Sequence, residues 1–157
     1  MIKGFKKGYK QGLYEPIYPQ KWVLTESFDM NEKGIKYRSS YEYKFCVFCD
    51  MNPDIVKVNS EGIVVPYYNP AKERVARYFL DFIIQNKSGR TFLVEIKPLS
   101  ETLPPKKPKN NSQKSIFNYQ KSLETFAVNQ AKWQAAREYA TSQNWEFVII
   151  TEKELGI

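Results

Sequence analysis

Two β-rich runs, Arg74–Gln85 and Thr91–Lys97, flank Asn86-Lys87-Ser88-Gly89-Arg90, and this pair constrains the chain more than any other feature. A short glycine-containing connector between strand-like runs predicts a β-hairpin. With the loop centred on Ser88, Gln85 faces Thr91, Ile83 faces Leu93 and Asp81 faces Glu95 across the ladder. Side chains alternate along a strand, so Asp81, Glu95 and Lys97 share one face. The opposite face carries Phe82, Ile84, Phe92, Val94 and Ile96, with no polar residue, and has the composition of core. Two carboxylates set directly opposite repel and weaken the pairing. A sheet keeps such a pair when a cation sits between them or when it serves a function.

The rest of the chain supplies the surroundings. A helix is predicted from Ser39 or Ser40, either of them a good N-cap, to about Asp50. Asn52-Pro53 stops it. Ile55–Asn59 and Ile63–Tyr67 alternate as strands, and Asn69-Pro70 marks a turn. Pro98 ends the second hairpin strand. The stretch from Pro104 to Asn111, with three lysines and no acid, is a solvated loop. A long helix follows from about Ile116 to Ser142. Its apolar stripe runs through Leu123, Phe126, Trp133, Ala136 and Ala140, with Gln130 as a single polar interruption. Trp145–Thr151 is a final strand, rich in aromatic and β-branched residues. The order helix, strands, helix, strand predicts a small α/β domain with a mixed sheet. Residues 1–36, rich in Gly, Lys, Tyr and Pro, predict a basic, irregular N-terminal arm with one short element near Lys21–Thr25. The domain proper is expected over 37–157, one domain overall.

Composition narrows the chemistry. With 157 residues, 42% hydrophobic and 26% charged, the chain has the make-up of one soluble globular domain. It contains no apolar run of about 18 residues, so no membrane partner is expected. Met1–Lys10 is basic but lacks the apolar core of a signal peptide. Lysine and arginine number 24 against 17 acids, a balance of +7, which favours an anionic partner. There is no histidine. That removes Ser-His-Asp and Cys-His catalysis and the His-containing zinc sites. Cys46 and Cys49 form a C-x-x-C. With no other cysteine and no histidine, zinc would lack its further ligands. Inside a predicted helix they are best read as two small apolar side chains, and free thiols fit a reducing compartment.

Asp81 and Glu95, with no His or Cys beside them, form a hard oxygen set suited to Mg²⁺ or Mn²⁺ rather than zinc. Lys97 would lie beside such a metal, placed to hold or help deprotonate water and to neutralise charge on a phosphate. The same residues also admit a plainer account, a strand-start Asp and a same-face surface ion pair. Lys3, Lys6, Lys7 and Lys10 crowd the N-terminal arm, interleaved with Phe5 and Tyr9. Lys106, Lys107, Lys109 and Lys114 crowd the loop after the acidic strand. Both groups suit the phosphate backbone of DNA, and both also suit solvated tails. No base-reading helix is evident, so little sequence specificity is expected.

Taken in order, several segments carry a resemblance. They are Gly8-Tyr9-Lys10-Gln11-Gly12, Tyr37-Arg38-Ser39-Ser40-Tyr41-Glu42, Val65-Pro66-Tyr67-Tyr68-Asn69-Pro70, Arg77-Tyr78-Phe79-Leu80-Asp81-Phe82, Val94-Glu95-Ile96-Lys97-Pro98 and Asn129-Gln130-Ala131-Lys132-Trp133. The chain resembles the PD-(D/E)XK nuclease superfamily, with its restriction-endonuclease-like core. Within it, the chain looks like the tailed-phage head-completion nucleases and the endonuclease subunits of some cut-and-paste transposons. One position departs, since Leu80 stands where the name-giving proline would be. The resemblance implies a metal-dependent DNA endonuclease in phage head completion. Asp81 and Glu95 would be metal ligands, Lys97 the catalytic lysine, and Glu42 the first-helix acid that completes the metal shell. Gln130 and Lys132 match helix positions that face the DNA cleft. Portal, neck or tail proteins would be its protein partners, in the virion or the host cytoplasm. Two other readings stay open: a structural neck protein whose assembly role needs no cleavage, and a transposase or repair nuclease subunit.

Overall fold

A computed structural model describes residues 11–23, 28–29 and 34–157. Its elements are β1 (Gly12–Tyr14), β2 (Phe28–Asp29), β3 (Gly34–Tyr37), α1 (Ser40–Met51), β4 (Ile55–Ser60), β5 (Val64–Asn69), β6 (Arg74–Phe79), β7 (Phe82–Asn86), β8 (Thr91–Ile96), α2 (Gln113–Ser142), β9 (Glu146–Ile150) and α3 (Glu152–Leu155). The central sheet has the order β4-β7-β8-β9. β7 runs antiparallel to β4 and β8, while β9 is parallel to β8. The sheet is therefore mixed, and α2 forms the crossover that a parallel β8–β9 pair requires.

The hairpin has the expected register at every paired position, from Phe82 opposite Val94 to Gln85 opposite Thr91. Gly89 takes a left-handed φ of 83° in its loop, a conformation that favours glycine. The two faces of the sheet serve different cores. Phe82, Ile84, Val94 and Ile96 pack against Phe45, Cys46 and Cys49 of α1. Leu93 and the partly buried Ile83 pack with Trp133, Ala136 and Ala140 of α2.

The expected strand Arg74–Gln85 is in fact two. β6 pairs only with β5 in a separate ribbon, and β7 enters the central sheet. Leu80 and Asp81 join them, held by Leu80 N–H to Ile63 O and Glu61 N–H to Asp81 O. An unbroken pleat would put Tyr78, Leu80 and Phe82 on one face. Here Tyr78 and Leu80 belong to the α2 core and Phe82 to the α1 core. The turn at 80–81 carries the chain from one side of the sheet to the other.

Residues 11–37 also depart from the expected irregular arm. β1, β2 and β3 form a three-stranded antiparallel sheet in the order β1-β3-β2. A 3-10 turn covers Pro19–Lys21, and Trp22 bridges Val58. Tyr14, Trp22 and Ile35 are buried in the α1 core. The fastening is Asp50, fully buried at the end of α1. Its carboxylate accepts hydrogen bonds from Tyr14 OH, the backbone N–H of Ile17 and Tyr18, and Trp22 Nε1. These donors hold its pKa below the usual aspartate value against the cost of burial. Lys21 Nζ donates to the carbonyls of Cys49, Asp50 and Asn52, closing the helix C-terminus.

Candidate active site

Asp81 sits in the joint ahead of β7, and Glu95 and Lys97 lie at the end of β8. The Asp81 Oδ2 accepts the Ile96 N–H at 2.7 Å, which fixes the carboxyl against the hairpin's open end. Glu95 is buried, 6% exposed. Its Oε2 accepts the Tyr78 hydroxyl at 2.6 Å, and its Oε1 lies 3.4 Å from Lys97 Nζ. Glu101, in the 3-10 turn Leu99–Thr102, is a second partner of that ammonium at 3.9 Å. Just beyond the last ladder pair, Phe82 opposite Val94, Asp81 meets Glu95, and Glu95 holds Lys97.

Glu42 joins them from α1. Ser39 caps that helix, its hydroxyl accepting the Glu42 N–H. The Glu42 side chain turns back to accept the Arg38 N–H at 3.0 Å. This is the reciprocal arrangement of a capping box, shifted by one residue. Burial raises the Glu42 pKa, opposed by Arg38, and the charge of Glu95 raises it further. Asp81 is pushed well above the usual carboxylate range, first by burial and then by the charge of Glu95, with Glu42 adding to it. Three acids therefore share one neighbourhood, with the Lys97 ammonium beside Glu95 and the Arg38 guanidinium acting on Glu42. Burial and Glu95 also raise the Tyr78 hydroxyl, which keeps it a donor.

Among the described residues, no three His, Cys, Asp or Glu side chains form a ready-made metal cage. The donors do suit a hard divalent ion. They are all carboxylates, their charges are under-compensated, and such ions use one or two carboxylates plus water and substrate oxygens.

The other sequence candidates fall in different places. Lys132 lies over the rings of Tyr78 and Tyr67, 5.5 and 5.8 Å from their centroids, one residue removed from Glu95. Gln130 is exposed. The polar residue on the buried face of α2 is Asn129, in phase with Trp133, Ala136 and Ala140. The stripe as read from sequence began with Leu123, which is exposed, and that start put it one residue out of phase. Lys106 lines a cavity next to Lys97, and Lys107, Lys109 and Lys114 are exposed. Lys3, Lys6, Lys7 and Lys10 lie outside the described residues. Sequence reasoning missed Tyr78 and Glu101. Tyr78 escaped because the break at 80–81 reverses the face that parity assigns to it.

The profile of TnsA-like endonuclease N-terminal domains matches residues 52–152, from β4 into α3 and including Asp81, Glu95 and Lys97. The chain belongs to this endonuclease family, and its mixed α/β fold is restriction-endonuclease-like. It is also 36% identical over 140 residues to the head completion nuclease of Enterobacteria phage T4, covering 88% of this chain and 93% of that one.

Proposed function

We propose that this protein is a DNA endonuclease of phage head completion that hydrolyses phosphodiesters with the help of Mg²⁺ or Mn²⁺. The observation that carries this reading is the meeting of Asp81, Glu95 and Lys97 at the open end of one hairpin, in a chain of endonuclease lineage. Asp81 and Glu95 would hold the metal, with Glu42 the nearest third carboxylate. When bound, the metal supplies charge neutralisation of the scissile phosphate and lowers the pKa of a water.

The protein's own groups do the rest. The Ile96 N–H and the Tyr78 hydroxyl fix the two carboxyls, so little reorganisation is needed when substrate arrives. Lys97, poised on Glu95 Oε1, would swing its ammonium to the phosphate oxygens and to the attacking water. Lys106, Lys107, Lys109 and Lys114 would follow the backbone, a sequence-independent term. Lys132, over the Tyr78 ring, and the exposed Gln130 would meet the DNA from α2. Portal, neck or tail proteins would bring the enzyme to packaged DNA, in the virion or in the host cytoplasm.

The test incubates purified protein with linear and circular DNA in Mg²⁺, in Mn²⁺ and in chelator, beside Asp81→Asn. Cleavage should need the metal and vanish in the variant. Cleavage in chelator, or by Asp81→Asn at the wild-type rate, would refute the mechanism.

A further inference from the structure

Beside Lys97 lies a cavity of about 590 Å³, between the turn after β8 and the N-terminal half of α2. Lys97, Lys106 and Lys121 line it, with Glu101 as the opposing charge, so its walls are net cationic. Phe126 contributes a half-buried ring. Asn129 is the most buried lining residue, 8% exposed. Its side chain lines the cavity beside Phe126. An amide that lines a cavity is free to bond whatever enters it.

We infer that this cavity receives one unpaired nucleotide of the DNA substrate, its base toward Asn129 and Phe126 and its phosphate toward Lys106 and Lys121. The inference rests on the nuclease reading and deepens it. An asparagine amide offers a donor pair and an acceptor, the complement of a base edge. An aromatic ring offers any base a stacking surface. A base inside a duplex has its pairing edge occupied and cannot enter, so the nucleotide must be frayed, bulged or extruded. Lys97 belongs to both the cavity and the carboxylate cluster, so the scissile phosphate would be a near neighbour of the held nucleotide. The substrate class is accordingly DNA with an unpaired position beside the cut, in place of an uninterrupted duplex.

The experiment compares two otherwise identical duplexes, one blunt and fully paired, one with a single unpaired 2-aminopurine. Binding is measured in chelator, where nothing is cut. Wild type should prefer the unpaired duplex by about ten-fold, in keeping with the worth of one stacked base, and 2-aminopurine fluorescence should change on binding. Asn129→Ala should bring that ratio close to one. Lys121→Ala, at an exposed position where misfolding is no concern, should also reduce it. Thermal melts check that both variants are folded. An equal preference in folded Asn129→Ala, or no preference in wild type, overturns the proposal. The nuclease reading is tested separately, by cleavage in Mg²⁺. Cleavage without preference removes the cavity's role and leaves the nuclease. Preference without cleavage does the reverse.

Discussion

Asp50 and the cluster of Glu42, Asp81 and Glu95 lie at opposite ends of α1 and are treated in opposite ways. At the C-terminal end, Asp50 is surrounded by four donors and its pKa is lowered. At the N-terminal end, Glu42 approaches Asp81 and Glu95; burial and the charge of Glu95 raise both Glu42 and Asp81. Burial is common to both. The difference is whether the fold has supplied partners for the charge. Asp50 is satisfied from within and works as a fastening. The Asp81 cluster is left short of positive charge, and a shortage of that kind is what a cation and a phosphodiester chemistry would use.

The sharpest way to break this contrast is to truncate each acid and read stability and cleavage together. Asp50→Ala strands four donors, two of them in buried bonds, and unfolding in urea should show a loss of about 3–5 kcal/mol. Lys97→Ala should leave stability nearly unchanged and slow single-turnover cleavage by about 10²–10³-fold. Tyr78→Phe keeps the ring and deletes one hydrogen bond to Glu95. Cleavage should fall about ten-fold, with more Mg²⁺ needed for half-maximal rate, as outer-shell losses cost about 10–100-fold. Smallest is Asp81→Asn in chelator. Relieving the repulsion should raise the melting temperature, by up to about 1 kcal/mol of stability. A fall comparable to that of Asp50→Ala would erase the distinction.

Acid sharpens the same comparison. The folded pKa of Asp50 lies below its ordinary value of 3.8. Its contribution is therefore fully present above about pH 3.8 and is lost as pH falls through the folded pKa. Melts between pH 5 and pH 2 should show wild type losing stability at the bottom of that range. Asp50→Asn, which has no such proton to take up, should show a shallower loss there.

Local rules made much of this molecule legible. Ser39 announced α1, and the five-residue connector fixed the register of β7 with β8, from Phe82 opposite Val94 to Gln85 opposite Thr91. What stayed hidden was non-local. The even-numbered burial of Tyr78, Leu80, Phe82 and Ile84 runs unbroken through a change of sheet face. No periodicity reports that a chain has crossed sides. The strands β1 to β3 are too short to show a period, and their order comes from partners such as Val58 and Asp50 that lie far along the chain. On α2, a stripe begun on Leu123 selected Gln130, while the face set by Trp133 selects Asn129. Two phases one residue apart are distinguished only by what the helix packs on.

Cys46 and Cys49 sit on the inner face of α1, fully buried, with burial pushing both thiols far up. An alkylating reagent needs access and thiolate, and the closed fold grants neither. Labelling then proceeds through moments when α1 lifts from the sheet, so its rate is a clock for that opening. The same helix carries Glu42 at its first turn. Whatever engages Glu42 should hold the helix down and slow the clock, giving occupancy of the acidic cluster a readout that involves no bond cleavage at all.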